Sequence, residues 1–184
     1  VEAGQQVGLV GQGLGGMVAL VLLARWPARF RCAVLLGSSP AFVRGSSETP
    51  QQARDRHIAM VDDDRSITRL APGWALSLVG PDCHQQVVAA VAVLMSGVDP
   101  ARYRQSIAAM AAYDGWATLL KIKQPVLVLA AARDVYTPPV LMKHMADRLK
   151  GSDYLCLPHL GHLAVIENAG TVNAHAAAYL RRHL

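Results

Sequence analysis

Four short apolar runs punctuate the chain, at residues 7–10, 32–36, 125–131 and 154–157, and each gives way to glycine, serine, aspartate or histidine. Continuous apolar runs of this length predict strands buried on both faces. Between the first two, residues 14–26 carry helical spacing, and Pro27 stops the pattern. A strand, a helix and a strand in so short a span predict a parallel pair joined by a right-handed crossover. Helical spacing returns at residues 140–149 and 171–182, behind the third and fourth runs.

The middle of the chain reads differently. Residues 54–61, 66–79, 83–95 and 102–112 all have helical spacing, separated by Gly80-Pro81, Gly97 and Asp99-Pro100. A helical block lying between strands predicts a cap or lid. The fold class is therefore α/β: a mainly parallel sheet with four recognisable strands, flanked by helices, with a helical cap inserted after the second strand. Residues 1–40 and 121–184 form the core and residues 41–120 the cap.

Composition narrows the function classes. The 184 residues are 52% hydrophobic, only 5% aromatic, and carry a formal charge of +5. The arginines are scattered rather than clustered, which describes a solvated face and argues against a nucleic-acid groove. Cys32, Cys83 and Cys156 are odd in number and lack C-x-x-C spacing, so they read as free thiols of a reduced, cytoplasmic protein. No run is long enough to span a membrane and no signal peptide opens the chain. The absence of an initiating Met directly before a strand predicts that upstream sequence is missing.

The chemistry gathers at the strand ends. In open α/β sheets functional groups collect beyond the carboxyl ends of the strands. Three such ends carry Gly13, Asp134 and His162. An acid and a histidine at neighbouring strand ends form the orienting half of a hydrolytic triad, and the order of the three positions suits it. Alone, Asp134 is as readily a helix-start residue with Thr137 and Pro138, and His162 a turn residue. His159 and His162 lack a third ligand for a metal, and Asp62-Asp63-Asp64 reads as a solvated helix end. Around Gly13 the sequence Gly11-Gln12-Gly13-Leu14-Gly15-Gly16 fits two patterns. One is a nucleophile elbow, G-x-S-x-G, with glycine in place of serine; the other is the G-x-G-x-x-G of dinucleotide binding, through Gly11, Gly13 and Gly16. The second wants an acid at the end of the next strand, which instead reads Leu36-Gly37-Ser38-Ser39, and Arg44, a candidate for a 2′-phosphate, lies beyond Pro40.

The segments Val10 to Ala19, Ser38-Ser39-Pro40, Ile122 to Val128, Arg133 to Pro139 and Gly161-His162 together resemble the carboxyl-terminal two-thirds of an α/β-hydrolase. The resemblance is nearest to the 3-oxoadipate enol-lactonase and carboxylesterase-like group. It implies Asp134 as acid, His162 as base and the Leu14 backbone N–H as an oxyanion donor. It implies a small carboxylic ester or lactone as substrate, with Gln12, Trp74 and Met95 as candidate pocket residues, and no metal or organic cofactor. Core packing is the competing role for Trp74 and Met95. With Gly13 at the nucleophile position, turnover by the acyl-enzyme route is expected to be very low. The alternative is a non-catalytic ligand-binding or interaction protein on the same scaffold. The family also places further strands before the elbow, so the first strand here should be a sheet edge. An open edge invites a homo-oligomer or pairing with the missing amino-terminal part.

Overall fold

The computed structural model describes residues 6–42, 48–61 and 66–184. β1 (Val7–Gln12) runs into α1 (Leu14–Arg25), and a 3-10 turn at Pro27–Arg29 leads to β2 (Phe30–Leu36). The cap follows as α2 (Pro50–Met60), α3 (Ser66–Leu78), α4 (Gln85–Ser96) and α5 (Pro100–Ala112). After a short α6 (Trp116–Leu119) come β3 (Val126–Ala131), α7 (Pro139–Arg148), β4 (Asp153–Leu157), α8 (Ala164–Glu167) and α9 (Ala169–His183). The strands form one parallel sheet in the order β1-β2-β3-β4. Asp62, Asp63, Asp64 and Arg44 lie outside the described residues.

Successive strand residues face opposite sides of the sheet, and the sequence fills both sides. Ala33, Leu35, Val126, Val128 and Ala130 pack with Leu20 and Leu23 of α1 and Met142 and Met145 of α7. Cys32, Val34, Leu36, Leu127 and Leu129 pack with Val172, Ala176 and Tyr179 of α9. The result is three layers, helix on sheet on helix. Burial on both faces explains why β2 and β3 read as unbroken apolar runs. β1 departs from that expectation. Among the described residues it has a neighbour on one side only, and Val10 is 57% exposed, with Leu14 and Val18 of α1 also exposed.

The helical insertion closes earlier than residue 120. Ala41 bridges Asp114 in antiparallel fashion, and the Gly115 N–H donates to the Pro40 carbonyl at 2.6 Å. Trp116 and Leu119 then bury in the main core beside α1, so α6 belongs with the sheet rather than the cap. Several helices also start before their apolar spacing does. Thr49 forms a capping box with Gln52 ahead of Pro50, and Asp99 caps α5 ahead of Pro100. A cap residue followed by proline starts a helix without any apolar residue, which periodicity does not register. No helix among the described residues is long and apolar enough to cross a membrane.

What sets the turn between β1 and α1 is close backbone approach. A Cβ on Gly11 would lie 2.5 Å from the Gly15 carbonyl oxygen, and one on Gly16 2.3 Å from Ser38 Oγ. Gly15, by contrast, faces open space. Gly11→Ala is therefore expected to destabilise the fold by about 1–3 kcal/mol through overpacking. Gly15→Ala should be neutral or stabilising by up to about 1 kcal/mol, from helix propensity. Urea unfolding of both variants checks this; equal effects would mean that the approach at Gly11 relaxes freely.

Candidate active site

Gly13 occupies the tip of the turn with φ +53°, a backbone conformation glycine adopts without the usual side-chain penalty. Its N–H donates to the Leu36 carbonyl at 3.1 Å, and its carbonyl accepts from Ser38 Oγ at 2.9 Å. The turn is thereby fastened to the exit of β2 through Ser38, which is fully buried. Leu14 is the first residue of α1. N–H groups of a first helical turn have no partner within the helix, as an oxyanion donor requires.

The acid loop leaves β3 and folds around Asp134, whose side chain is wholly buried. Its Oδ1 accepts from the N–H groups of Tyr136 at 2.8 Å and Thr137 at 2.9 Å. Its Oδ2 accepts from Thr137 Oγ1 at 2.5 Å and faces His162 Nδ1 at 2.9 Å. Burial alone would push this carboxyl up. The hydrogen bond and charge of His162, with the two bonds from Thr137, outweigh burial and hold it below the ordinary value. Asp134 does not cap α7, whose N-cap is Pro138 without a side-chain cap bond: one oxygen shapes the turn before that helix, and the other meets the histidine.

His162 follows β4 in a turn. With the Asp134 carboxylate accepting, Nδ1 must carry the proton, so the neutral ring presents Nε2 as a base. A Cβ built on Gly13 would lie 3.8 Å from that Nε2. The Gln12 side-chain N–H donates to the His162 carbonyl at 2.8 Å, which gives Gln12 a hold on the histidine backbone. Gly37 lies beneath the pair, where a Cβ would be 3.3 Å from both Asp134 Oδ2 and His162 Nδ1. Among the described residues no three His, Cys, Asp or Glu side chains form a metal-binding group, His159 included.

The cap reaches the pair through Tyr136, whose ring lies 5.4 Å from the His162 ring. The Tyr136 hydroxyl is 2.8 Å from Ser77 Oγ on α3. One turn back on that helix, Trp74 stacks on Tyr103 of α5 at 5.4 Å, and the Tyr103 hydroxyl is hydrogen-bonded to His57 Nδ1 at 2.8 Å. Burial pushes the Tyr103 hydroxyl up to about 12 and, helped by the nearby Arg56 charge, pushes His57 down. Met95 packs instead against the Ala75, Val79 and Val91 seam between α3 and α4. Its flexible apolar side chain fills that gap. Sequence reading gave no role to Ser77, Tyr103 or Glu167; only the fold brings these residues, from three separate helices, towards the two loops.

The profile of an α/β-hydrolase family described as TAP-like protein matches residues 82–183, more than half of the chain. The chain belongs to this family of α/β-hydrolases. RutD of Variovorax paradoxus, named a carbamate hydrolase, is 31% identical over 180 residues, covering 95% of this chain and 65% of that protein. The pimeloyl-[acyl-carrier protein] methyl ester esterase of Nitrosomonas europaea is 28% identical over 158 residues, covering 83% and 62%. The chain spans less than two-thirds of the length of these relatives. Among solved structures, the enol-lactonase from Burkholderia xenovorans superposes with a TM-score of 0.85 at 20% identity, over 96% of this chain and 66% of that one. A thermophilic esterase from Thermogutta terrifontis gives 0.85 at 21%, over 97% and 66%. These superpositions show the α/β-hydrolase fold.

The Asp134 carboxyl of this α/β-hydrolase titrates lower in the fold than in the unfolded chain. It therefore stabilises the fold fully above its unfolded value of about 4, and that contribution is lost as pH falls through the lower folded value. The stability gap between the parent chain and Asp134→Asn should narrow as pH falls below about 4. Urea titrations on either side of that pH check it; a gap unchanged at about pH 3 would locate the loss elsewhere.

Proposed function

We propose that this site is built for hydrolysis of a small carboxylic ester or lactone by nucleophile, histidine and acid, and that Gly13 removes the nucleophile while keeping its turn. The observation that carries the reading is the direction of His162. Its Nδ1 is taken by Asp134 at 2.9 Å, and Nε2 lies 3.8 Å from where a Cβ on Gly13 would stand. A serine hydroxyl, one bond further out, would come within hydrogen-bond reach of that nitrogen. Attack by the hydroxyl on the acyl carbon would pass its proton to Nε2, which would hand it to the departing alcohol oxygen as the ester bond breaks; a water deprotonated by Nε2 would then release the acid and restore the hydroxyl. Asp134 would stabilise the imidazolium, and the Leu14 N–H would face the developing oxyanion.

The relatives named as a carbamate hydrolase and a methyl ester esterase support the bond type, since both cleave at an acyl carbon next to a heteroatom. Trp74 and Tyr103, continuous with Tyr136 through Ser77, suit one wall of the acyl pocket. The free thiols of Cys32, Cys83 and Cys156 fit a reducing, cytoplasmic setting. The open edge of β1 fits pairing with a further strand, from a second copy or from the amino-terminal part of the fold.

Gly13→Ser is expected to raise turnover of an aryl acetate at least about a thousandfold over the parent chain, with a burst and a mass adduct on residue 13. His162→Gln in the same background should abolish both. Turnover by the unmodified chain would replace this reading with His162 acting directly on water, and a folded but inert Gly13→Ser protein would favour a binding role. In the active variant, Trp74→Leu should raise KM about five-fold or more with little change in kcat, as loss of binding common to substrate and transition state does.

A further inference from the structure

Glu167, on α8, joins two segments that sequence reading kept apart. Its Oε1 accepts the Gly161 N–H at 2.8 Å and its Oε2 the Gly80 N–H at 2.7 Å. Gly161 immediately precedes His162, and Gly80 follows the end of α3 in the cap. On the other side of the histidine, the Leu163 N–H donates to the Leu78 carbonyl at 2.9 Å. The backbones are in direct contact: a Cβ on Gly161 would lie 2.4 Å from the Val79 carbonyl carbon.

The acid loop is tied to the same stretch. Ser77 Oγ meets the Tyr136 hydroxyl at 2.8 Å, and the Tyr136 N–H donates to Asp134 Oδ1 at 2.8 Å. Residues 77–80 of the cap therefore hold both flanks of His162 and one side of the Asp134 turn. Of these ties only the Glu167 carboxylate reaches both the cap and the histidine loop from a third element. Because hydrogen bonds and backbone packing are short-ranged, a shift of α3 is passed to His162 through these contacts.

We infer that Glu167 is a positioning residue: it makes the seating of α3 a condition for the Asp134–His162 geometry, so that a ligand moving the cap helix also moves the base. This rests on the hydrolase reading only for its kinetic readout.

The first experiment uses the chain as it stands, with ring-¹⁵N-labelled histidine and the His162 signals identified by their loss in His162→Gln. Glu167→Gln keeps the shape but turns one acceptor into a donor facing an N–H. It should move the His162 ring-nitrogen signals, the downfield Nδ1–H resonance above all, while the protein stays folded by circular dichroism. In the Gly13→Ser background it should lower kcat about tenfold with KM within about twofold, as misplacement of a base does, and Glu167→Asp should recover part of the loss. A fall in melting temperature with unmoved His162 signals would overturn the inference. So would loss of the fold in both the Gln and the Asp variants, since the carboxylate would then be a strut. An inert Gly13→Ser protein whose His162 signals still respond to Glu167→Gln would sink the hydrolase reading and leave this one standing.

Discussion

Parallel strand pairing is the constraint on which the site depends. In a parallel sheet every strand delivers its outgoing loop to the same edge. β3 and β4 are adjacent, with Ala131 opposite Leu157, so the acid loop and the histidine loop leave from neighbouring positions. β1 and β2 end together in the same way, with Gln12 opposite Leu36, which puts the Gly13 turn within reach of Leu36 and Ser38. Slipping β4 by one residue against β3 would exchange Tyr154 and Cys156 with Leu155 and Leu157 between the two core layers and carry His162 away from Asp134. Tyr154 and Cys156 fit the layer with α7, and Leu155 and Leu157 the layer with α9, so the two core layers hold the register that places the two loops.

Much of this was legible in the sequence because it depends on local pattern. Apolar runs with chemistry-bearing exits located all four strands, and the exits of the first, third and fourth supplied Gly13, Asp134 and His162. The helices between β2 and β3 were legible in the sequence, but the point where the chain returns to the core was not. Trp116 and Leu119 have helical spacing just like a cap helix, and only the Ala41–Asp114 bridge shows where the chain has returned to the core. The apolar run of β1 predicted burial on both faces, whereas the edge position expected from the family resemblance is the one observed. An apolar run states what a strand can bury, whereas the number of its neighbours is set by the rest of the sheet. Ser77, Tyr103 and Glu167 were illegible because each works through contacts distant in sequence.

The glycine at position 13 separates two requirements that a serine would meet together. A residue with positive φ at the strand-to-helix turn strains any ordinary side chain, and such strain persists only where the surroundings enforce it. Here the surroundings remain in full: the Leu36 and Ser38 bonds on either side of Gly13, the close approach of Gly11 and Gly16, and the Asp134–His162 pair beyond. Replacing a strained serine by glycine removes the strain and leaves every enforcing contact in place. On the proposed reading, the chain keeps the turn of a nucleophile elbow without the nucleophile.

The pairing of β3 and β4 alone would bring the Asp134 and His162 loops together. Yet Glu167 spends both carboxylate oxygens on the junction of cap and histidine loop, and Ser77 meets Tyr136 beside the histidine ring. Two backbone segments packed too closely for a Cβ, at Val79 and Gly161, admit little independent motion. Cap and histidine loop must then move as one body or not at all. On the inference drawn for Glu167, a shift of α3 would reach His162 by that route, whether or not a hydroxyl stands at position 13.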